Sequence, residues 1–442
     1  MRTVLHIIRQ ILLWLLGVAL GVAVLLGAVM AASYAFTTSG SLPAPDAQFG
    51  GAALTVNGSR WRVPLVGGML DKVFYSPSTL SVEKLGVLYE AHPEITLPEW
   101  ATYATLRITA DGMGDAAYFD GPVEEYADFL YPANGEYKAE LTVWRLPVGM
   151  TDVGFGQPFD GAVLPGSGLE RPARPAGYYR YAFRFTIQAS AELTLSAQRI
   201  EQGGVAALEI SGMVGSETPT VETDLGSVQC VRSPAGWRCY IPAAYNASAG
   251  SHDIAVNVNG ETLPLTLVVT AKSFGEAEAQ PDPPAPDGAA EEFRSVIWSL
   301  YDAPAREKMW HGAFLCPVEL YTVLLDYGQT KVMSGARAGQ SNSTLLYTIP
   351  GDPVRAPAGG VVAVAQNLGL TGNTVVIDHG CGLRSYLYGL ADIHVQPGQT
   401  VARGDAIGQV GETLTMDFKL GSKSISPWPL FQTSGGLFWR EF

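Results

Sequence analysis

The chain begins with a long apolar segment. Residues 11–36 contain no charged side chain, Arg2 and Arg9 precede them, and no further Lys or Arg follows until Arg60. As a helix this segment would extend about 39 Å, which is enough to cross a hydrocarbon core of about 30 Å. The basic residues before it predict a single-pass anchor in the cell membrane, with a cytoplasmic N-terminus and the bulk of the chain outside.

A cleaved signal peptide is the alternative interpretation of this segment. Small residues at Ala28, Ala31, Ala32 and Ala35 offer a cleavage site. The apolar run is longer than the core of a usual signal peptide, which favours a retained anchor. Both interpretations place the later chain outside the cytoplasm, and no second apolar run of this length follows.

After the apolar segment the pattern changes to short alternating runs, which are typical of β-strands with one buried face. Residues 136–146 (EYKAELTVWRL) and 178–187 (YYRYAFRFTI) show this alternation. The Arg and aromatic residues of the second run could stack on a ligand, but the pattern favours a half-buried strand with a solvated face. We therefore predict a mainly β protein.

Shifts in composition divide the chain into six predicted segments. The segment rich in proline and acidic residues reads as an exposed, semi-stiff linker. The segments are a cytoplasmic tip with a transmembrane anchor (1–36), a tether (37–48), a β-rich domain (49–188), an Ig-like β-sandwich (189–271), a linker (272–291) and a C-terminal domain (292–442).

Two of the three Asn-Gly pairs predict hairpins, because this dipeptide is the strongest short hairpin signal. Asn57 and Gly58 separate the strand-like residues 53–56 from residues 60–63. Asn259 and Gly260 join the last two strands of the predicted sandwich.

A cysteine pair predicts a further hairpin. Cys230 and Cys239 flank a Ser-Pro-Ala-Gly turn, so we expect them to face each other across it. A disulfide between them is the prediction for an oxidising compartment, and two free thiols are the alternative.

Composition and charge limit the possible partners. Hydrophobic residues make up 47% of the chain and charged residues 16%, which argues against disorder throughout. The formal net charge of -14 argues against a nucleic-acid partner, because phosphate binding requires a basic face. No two of the four cysteines form a C-x-x-C pair, so a zinc knuckle is not expected.

The C-terminal domain carries glycine-rich corners in a fixed order. They lie at residues 351–362 (GDPVRAPAGGVV), 372–382 (GNTVVIDHGCG), 395–401 (VQPGQTV) and 404–408 (GDAIG). Each corner ends one short strand and begins the next with backbone angles that other residues resist. In order and spacing, the corners resemble the lysostaphin/LytM-type zinc metallopeptidases, which cut peptidoglycan cross-bridges and stem peptides. The likeness covers roughly residues 314–431.

The resemblance implies a compact antiparallel β domain of the duplicated hybrid motif type. In this family a His, an Asp four residues later and the second His of an H-x-H pair hold zinc, and a further His follows an aromatic strand. Three protein ligands leave one zinc position for water, which becomes the nucleophile that hydrolyses a peptide bond.

The matching positions of this chain carry other side chains. The first His and the Asp fall on Ser341 and Leu345, the His after the aromatic strand falls on Gly389, and the H-x-H pair falls on Thr415 and Asp417. A single carboxylate does not hold zinc against water. The resemblance therefore implies a pseudoenzyme without a catalytic residue, metal ligand or cofactor, although zinc is the metal of the family.

The nearby histidines do not rebuild the site. His379 matches a family His that precedes Gly and is not a ligand, so we interpret it as a hydrogen-bonded turn residue. His394 is interpreted as a solvated loop residue, and His311 precedes the matched region. Asp378 is adjacent to His379, but neighbours on a strand point to opposite faces.

Two further cysteines lie in the same domain. Cys316 stands where the family places its first strand, and Cys381 lies in a Gly-Cys-Gly corner. We hypothesise a disulfide between them, since both lie in one small domain outside the cell. A cysteine nucleophile beside His379 is the alternative, but adjacency in sequence is not the geometry of a catalytic dyad.

These observations predict a non-enzymatic envelope protein. It would bind peptidoglycan or an envelope protein such as a cell-wall hydrolase, and the membrane through its N-terminal helix. Family members without zinc ligands are precedents, as amidase activators or parts of membrane-spanning complexes. Two alternatives stay open: an active peptidoglycan metalloendopeptidase with an atypical site around Asp417, and a purely structural or adhesive surface protein.

Overall fold

The chain folds as two compact units, Met1–Ser190 and Ala191–Phe442. The computed structural model describes residues 2–110, 116–146, 176–281 and 284–442. Parts of three predicted segments, 1–36, 49–188 and 272–291, lie outside the described residues. The described residues are mainly in antiparallel β-sheets, which confirms the predicted fold class.

The first unit begins with helix α1, Arg2–Phe36. Residues His6–Phe36 are long and apolar enough to cross a membrane, although a signal sequence near an N-terminus has the same properties. The helix contains no proline, and its Ala and Leu residues are good helix formers. Its apolar side chains, such as Leu16 and Leu20, are exposed.

The β-strands of the first unit form two sheets, ordered β2-β1-β6 and β4-β3-β10-β9-β7-β8, and β5 pairs in parallel with β10. These strands are β1 (Gln48–Phe49), β2 (Ala52–Ala53), β3 (Gly58–Leu65), β4 (Leu70–Ser76), β5 (Glu83–Leu88), β6 (Ile95–Thr96), β7 (Tyr103–Thr109), β8 (Phe119–Pro122), β9 (Gly135–Arg145) and β10 (Ala176–Ile187).

Strand β10 confirms the predicted half-buried strand. Tyr181, Phe183 and Phe185 are buried, whereas Arg180 and Arg184 alternate with them and are half-buried. Since side chains alternate between the two faces of a strand, the aromatic residues face the core and the arginines face the other side.

The hairpin predicted at Asn57 and Gly58 is wrong. Gly58 opens β3, and β3 pairs with β4 through the turn Val66–Gly68. The side-chain amide of Asn57 instead donates to the carbonyls of Thr79 and Ser81. Tertiary pairing of β3 with β4 and β10 buries Trp61, and this burial outweighs the local turn preference.

The second unit begins with a β-sandwich. Its two four-stranded sheets are ordered β11-β13-β16-β15 and β12-β18-β17-β14, and they enclose one apolar core. This is the arrangement of the predicted Ig-like sandwich. The strands are β11 (Glu192–Leu195), β12 (Arg199–Glu201), β13 (Val205–Ser211), β14 (Thr220–Thr223), β15 (Cys230–Ser233), β16 (Gly236–Pro242), β17 (Gly250–Val258) and β18 (Glu261–Thr270).

Both hairpins predicted in the sandwich are confirmed. Cys230 pairs with Cys239 in the register of β15 and β16, and the two form a disulfide. Asn259 and Gly260 join β17 to β18 with φ values of 50° and 82°, the left-handed conformation that a tight hairpin turn requires.

The rest of the second unit is dominated by a nine-stranded sheet with the path β20-β23-β29-β27-β26-β25-β28, and β24 and β30 also pair with β29. The elements are β19 (Glu276–Glu278), α2 (Ala289–Ile297), β20 (Tyr321–Leu325), β21 (Thr330–Met333), β22 (Ala336–Gln340), β23 (Thr344–Thr348), β24 (Pro353–Arg355), β25 (Gly360–Leu368), β26 (Gly372–Asp378), β27 (Leu383–Ile393), β28 (Thr400–Val401), β29 (Ala406–Leu420), β30 (Lys423–Ile425) and α3 (Trp428–Phe431).

The sandwich and the large sheet pack against each other, which the predicted exposed linker did not anticipate. The ring of Tyr240 lies 5.9 Å from that of Trp310, and the buried Arg238 donates to the carbonyl of Trp439 at 2.7 Å. Within the linker range, β19 pairs in parallel with β21. One apolar core contains residues of both the sandwich and the sheet, such as Tyr240 and Phe418, and this shared burial holds the unit together.

The two faces of the large sheet have different environments. Leu346, Leu387 and Met416 lie on one face, in the main core of the unit. On the other face, Ile297 of α2 packs with Val376 and Tyr386. We call this second face the site face, because it carries the side chains of the candidate site described below.

Replacement of Cys230 and Cys239 by serine should destabilise the second unit. The disulfide closes a short loop, and its loss should lower the free energy of unfolding by about 2–3 kcal/mol. Urea unfolding followed by tryptophan fluorescence measures this. Cys316→Ser, which removes an unpaired thiol, is the matched control, and an equal loss of stability in the control would contradict the assignment.

Candidate functional site

The strands β23, β29 and β27 bring some of the predicted family positions together. Leu345 lies opposite Thr415 in the register of β23 and β29, and Tyr388 lies opposite Thr415 from β27. Residues opposite each other in an antiparallel pair share a face. Asp417 lies two residues beyond Thr415, so its side chain also points to the site face.

The other two family positions carry no side chain available to a ligand. Ser341 is buried before β23, and its hydroxyl donates to the carbonyl of Ser343 at 2.8 Å. Gly389 is exposed at a bulge of β27 with φ of 79°, and its N–H donates to the carbonyl of Thr371 at 3.0 Å. Both residues shape the backbone.

A buried ion pair lies at the centre of the site face. The carboxylate Oδ2 of Asp417 is 2.7 Å from Nζ of Lys419, and the two residues are only 4% and 5% exposed. Lys419 also donates to Oγ of Ser424 at 2.7 Å, and that hydroxyl donates to Asp417 at 3.2 Å. Strand β30 positions Ser424 opposite Lys419.

Burial and charge act in opposite directions on each member of the pair. Burial raises the pKa of Asp417, although the Lys419 ammonium acts to lower it. Burial lowers the pKa of Lys419, but the Asp417 carboxylate outweighs this effect and the net shift is upward. Each charge therefore depends on its partner, because an isolated charge in the interior is costly.

Sequence reasoning identified Asp417 but missed Lys419 and Ser424. The signal was present in the sequence Asp-x-Lys, since alternate residues of a strand share a face. Ser424 could be found only from the pairing of β30 with β29.

Four tyrosines surround the ion pair. Nζ of Lys419 lies 5.8 Å from the ring centre of Tyr301 and 5.7 Å from that of Tyr386. The Tyr327 hydroxyl donates to the carbonyl of Ser424 at 2.8 Å and accepts the N–H of Tyr245 at 2.8 Å. Tyr245 belongs to the sandwich, so the sandwich helps to enclose the pair.

Helix α2 and the residues after it cover the neighbouring part of the site face. Arg384 donates to the carbonyl of Leu300 at 2.7 Å, and the Glu292 carboxylate accepts the N–H of Gly369 at 2.8 Å. These contacts fix the segment over β25, β26 and β27 and remove that area from solvent.

The uncovered part of the sheet lies at its β20 edge. Among the described residues, β20 pairs with β23 alone. Six large apolar side chains near these two strands are exposed, and we call them the edge strip: Leu320, Tyr321, Val323, Leu324, Tyr347 and Ile349.

The histidines of the domain have structural environments. The buried His379 donates from Nδ1 to the carbonyl of Gly359 at 2.8 Å, and its Nε2 accepts from the Ser385 hydroxyl at 2.9 Å. Burial lowers the pKa of His379 to about 4, so the ring is neutral at physiological pH. The predicted hydrogen-bonded role is confirmed. Asp378 instead pairs with Arg384 at 2.9 Å, and His394 lies on a loop beside Asp392.

The hypothesised Cys316–Cys381 disulfide is wrong, since both cysteines are free thiols. The two side chains have different neighbours. Cys381 is buried near Lys308 and Arg238, and burial raises its pKa to about 12. Cys316 hydrogen-bonds to Tyr321, and burial raises its pKa as well. Raised thiol pKa values also disfavour the cysteine nucleophile considered above.

The residues present at the site do not fit a zinc ion. Among the described residues, no group of three or more His, Cys, Asp or Glu side chains could hold a metal. Oδ1 of Asp417 is buried without a hydrogen-bond partner, but the adjacent Lys419 ammonium would repel a dication. Zinc requires three or four protein ligands, and the family positions on this face offer one carboxylate, which is already paired.

The comparison with protein families finds a match within the C-terminal domain. Residues 340–422 match the peptidase family M23, a range that contains all five family positions examined above. No curated protein matches the chain.

Several solved structures are similar to parts of the chain. A structure assigned to peptidase M23 from Pseudomonas aeruginosa is 20% identical, covers 52% of this chain and 93% of that chain, and has a TM-score of 0.40. A structure of the SpoIIQ–SpoIIIAH pore-forming complex is 16% identical, covers 27% of this chain and 91% of that chain, and has a TM-score of 0.25. The lysostaphin catalytic domain from Staphylococcus simulans is 18% identical, covers 29% of this chain and 92% of that chain, and has a TM-score of 0.21.

Replacement of Lys419 by methionine should leave the Asp417 carboxylate buried without its cation. Breaking a buried pair in this way costs about 3–5 kcal/mol of unfolding free energy. Adding Asp417→Asn should restore much of that loss, because the unpaired charge is then removed. Urea unfolding of the single and double variants measures both effects.

The same variant should acquire a characteristic pH dependence. With the ammonium gone, burial outweighs the hydrogen bond from Ser424, and the folded pKa of Asp417 lies above the unfolded value. Such a group contributes stability at low pH that is lost as pH rises through the folded pKa. Relative to the unsubstituted chain, Lys419→Met should therefore lose more stability in mildly alkaline buffer than in mildly acidic buffer. A pH-independent difference would contradict the buried-carboxylate interpretation.

Proposed function

Because residues 340–422 form a peptidase family M23 domain of the lysostaphin/LytM type, we propose that this chain is a membrane-anchored extracytoplasmic protein whose M23 domain binds an envelope component without hydrolysing it. The buried pair of Asp417 and Lys419 carries this proposal. In a zinc peptidase the metal supplies the positive charge that activates water. Here the Lys419 ammonium lies against the one carboxylate at the ligand positions. An ammonium has no vacant coordination position at which it could bind and activate water as a metal does.

The burial of the ion pair, which limits access to it, also supports binding without hydrolysis. Asp417 and Lys419 are buried, with Tyr301 on one side and the Tyr327–Tyr245 contact nearby. A scissile peptide bond would have to reach the carboxylate through these residues. Binding at the exposed edge of the sheet requires no such opening.

The edge strip supports a polypeptide as the bound component. Contiguous exposed apolar side chains are typical of interaction surfaces, and an edge strand can accept an extended peptide as an additional strand. Both a protein of the envelope and the stem peptide of peptidoglycan have a peptide backbone. The apolar character of Leu324, Tyr347 and Ile349 favours the envelope protein, such as a cell-wall hydrolase.

The N-terminal helix supports membrane anchoring. Its apolar length suits a bilayer, and Arg2 and Arg9 precede the apolar run, which favours a cytoplasmic N-terminus. The Cys230–Cys239 disulfide suits an oxidising extracytoplasmic compartment.

The purified full-length protein should contain far less than one zinc per chain and should not release fragments from purified cell walls. Elemental analysis after dialysis against zinc and a dye-release assay measure these quantities. Asp417→Asn is the matched variant and should behave identically. Stoichiometric zinc, or hydrolysis that disappears in Asp417→Asn, would instead support the atypical endopeptidase.

A photo-crosslinking residue at Tyr347 should capture an envelope component in cells. Mass spectrometry of the crosslinked product distinguishes an envelope protein from a peptidoglycan stem peptide. The matched control carries the same group at Tyr89, an exposed tyrosine of the first unit. Equal capture at both positions, or none at Tyr347, would contradict binding at the edge strip.

A further inference from the structure

We propose that the turn between β3 and β4 is a second membrane contact, inserted into the extracytoplasmic leaflet beside α1. The inference rests on the anchoring part of the proposed function. It concerns the first unit alone and assigns a role to a turn that the M23 domain does not explain.

The composition of this turn is unusual for an exposed connection. Residues 65–70 (LVGGML) contain no polar side chain, whereas hairpin turns normally use Asn, Asp, Ser and Gly. Met69 is 65% exposed. Val66 has φ of 48°, a left-handed conformation that is strained for a β-branched residue. The rest of the turn is more covered, since Leu65 is buried and Val66 and Leu70 are half-buried. Water offers no compensation for exposing Met69, whereas a lipid interface does.

The turn lies against the end of the membrane helix. The helix α1 contacts both β3 and the turn Val66–Gly68. Nζ of Lys72 donates to the carbonyls of Tyr34 and Thr37 at 2.7 and 2.8 Å, and lies 4.7 Å from the Tyr34 ring centre. The hairpin is therefore tied to the last turn of the helix.

The exposure of the side chains along α1 shows how far the contact with the hairpin extends. Among the helix side chains that the structure describes, from His6 onward, Met30 and Ser33 are half-buried and the others are exposed. Met30 lies one helical turn before Tyr34, toward the bilayer. Other residues therefore pack against the helix at the level of Lys72 and also one helical turn deeper, at Met30.

The position of Arg9 on the helix indicates how deep in the bilayer the turn lies. From Arg9 to Tyr34 the helix rises about 38 Å, close to the about 40–45 Å of a bilayer with its headgroups. With Arg9 at the cytoplasmic interface, Tyr34 and Lys72 lie at the outer headgroups, where aromatic and basic residues are favoured. The level of Met30 is about 6 Å deeper, at the boundary of the acyl chains.

Polar groups on the hairpin match this depth. Arg62 and Asp71, which lie on the strands just beyond the turn, form an ion pair in which Nε of Arg62 donates to Asp71 at 2.7 Å. Together with Lys72 they place charge at the headgroup level and leave the apolar turn below it. This distribution of a polar collar and an apolar tip is that of an interfacial membrane contact.

Site-directed spin labelling of the full-length chain in nanodiscs that hold one copy each tests the proposal. Labels are placed at Met69→Cys, Leu80→Cys and Leu20→Cys, with the unsubstituted chain as the background for its free thiols. Leu80 is a matched control, since it is exposed and lies beyond the other end of β4. Leu20 is an exposed residue in the middle of α1.

The ratio of oxygen to nickel-chelate accessibility should be severalfold higher at position 69 than at position 80, and should approach the value at position 20. An aqueous signal at 69 together with a lipid signal at 20 would overturn the second contact while leaving the anchor intact. An aqueous signal at 20 would overturn the anchor itself. Single-copy nanodiscs exclude protection of the turn by a second chain.

Discussion

The side chain of Lys419 places a positive charge at the centre of the M23 domain. The ammonium of Lys419 is 2.7 Å from the Asp417 carboxylate, and neither charge is stable in the interior without the other. This constraint explains the surroundings of the pair. Ser424 supplies a hydroxyl to both charges, and the rings of Tyr301 and Tyr386 face the ammonium.

Enclosure of this pair depends on segments that are far apart in the chain. Tyr245 comes from the sandwich, Tyr301 follows α2, and Ser424 comes from β30. Each packs around the central strand β29, which pairs with β23, β24, β27 and β30. As a result, the sandwich and the M23 domain share one apolar core, and the site face is divided into a covered part and an exposed edge.

The first unit depends on a different contact, which joins the β3–β4 hairpin to the end of the apolar helix α1. Lys72 joins the β3–β4 hairpin to the end of α1 through carbonyls that the helix leaves without intrahelical partners. The contact satisfies these helix-end groups and orients the apolar turn along the helix. A flexible tether alone would not determine that orientation.

The sequence by itself determined the features that depend on local pattern. The apolar run predicted α1, alternation predicted β10, and the turns at Asn259–Gly260 and around the cysteine pair predicted their hairpins, because each signal acts over a few neighbouring residues. The glycine-rich corners were enough to indicate the family. The residues at the positions that the resemblance assigns to ligands could also be read directly from the sequence.

Only the tertiary structure decided which distant groups meet. Asn57 and Gly58 carry a strong hairpin signal, yet burial of Trp61 assigned β3 to other partners. Cys316 and Cys381 share a domain but have different neighbours. The pairing of Lys419 with Asp417 and its closure by Tyr245 and Ser424 depend on strand register and on packing between the sandwich and the sheet. A local pattern does not encode these contacts, because their free energy arises from burial between segments distant in sequence.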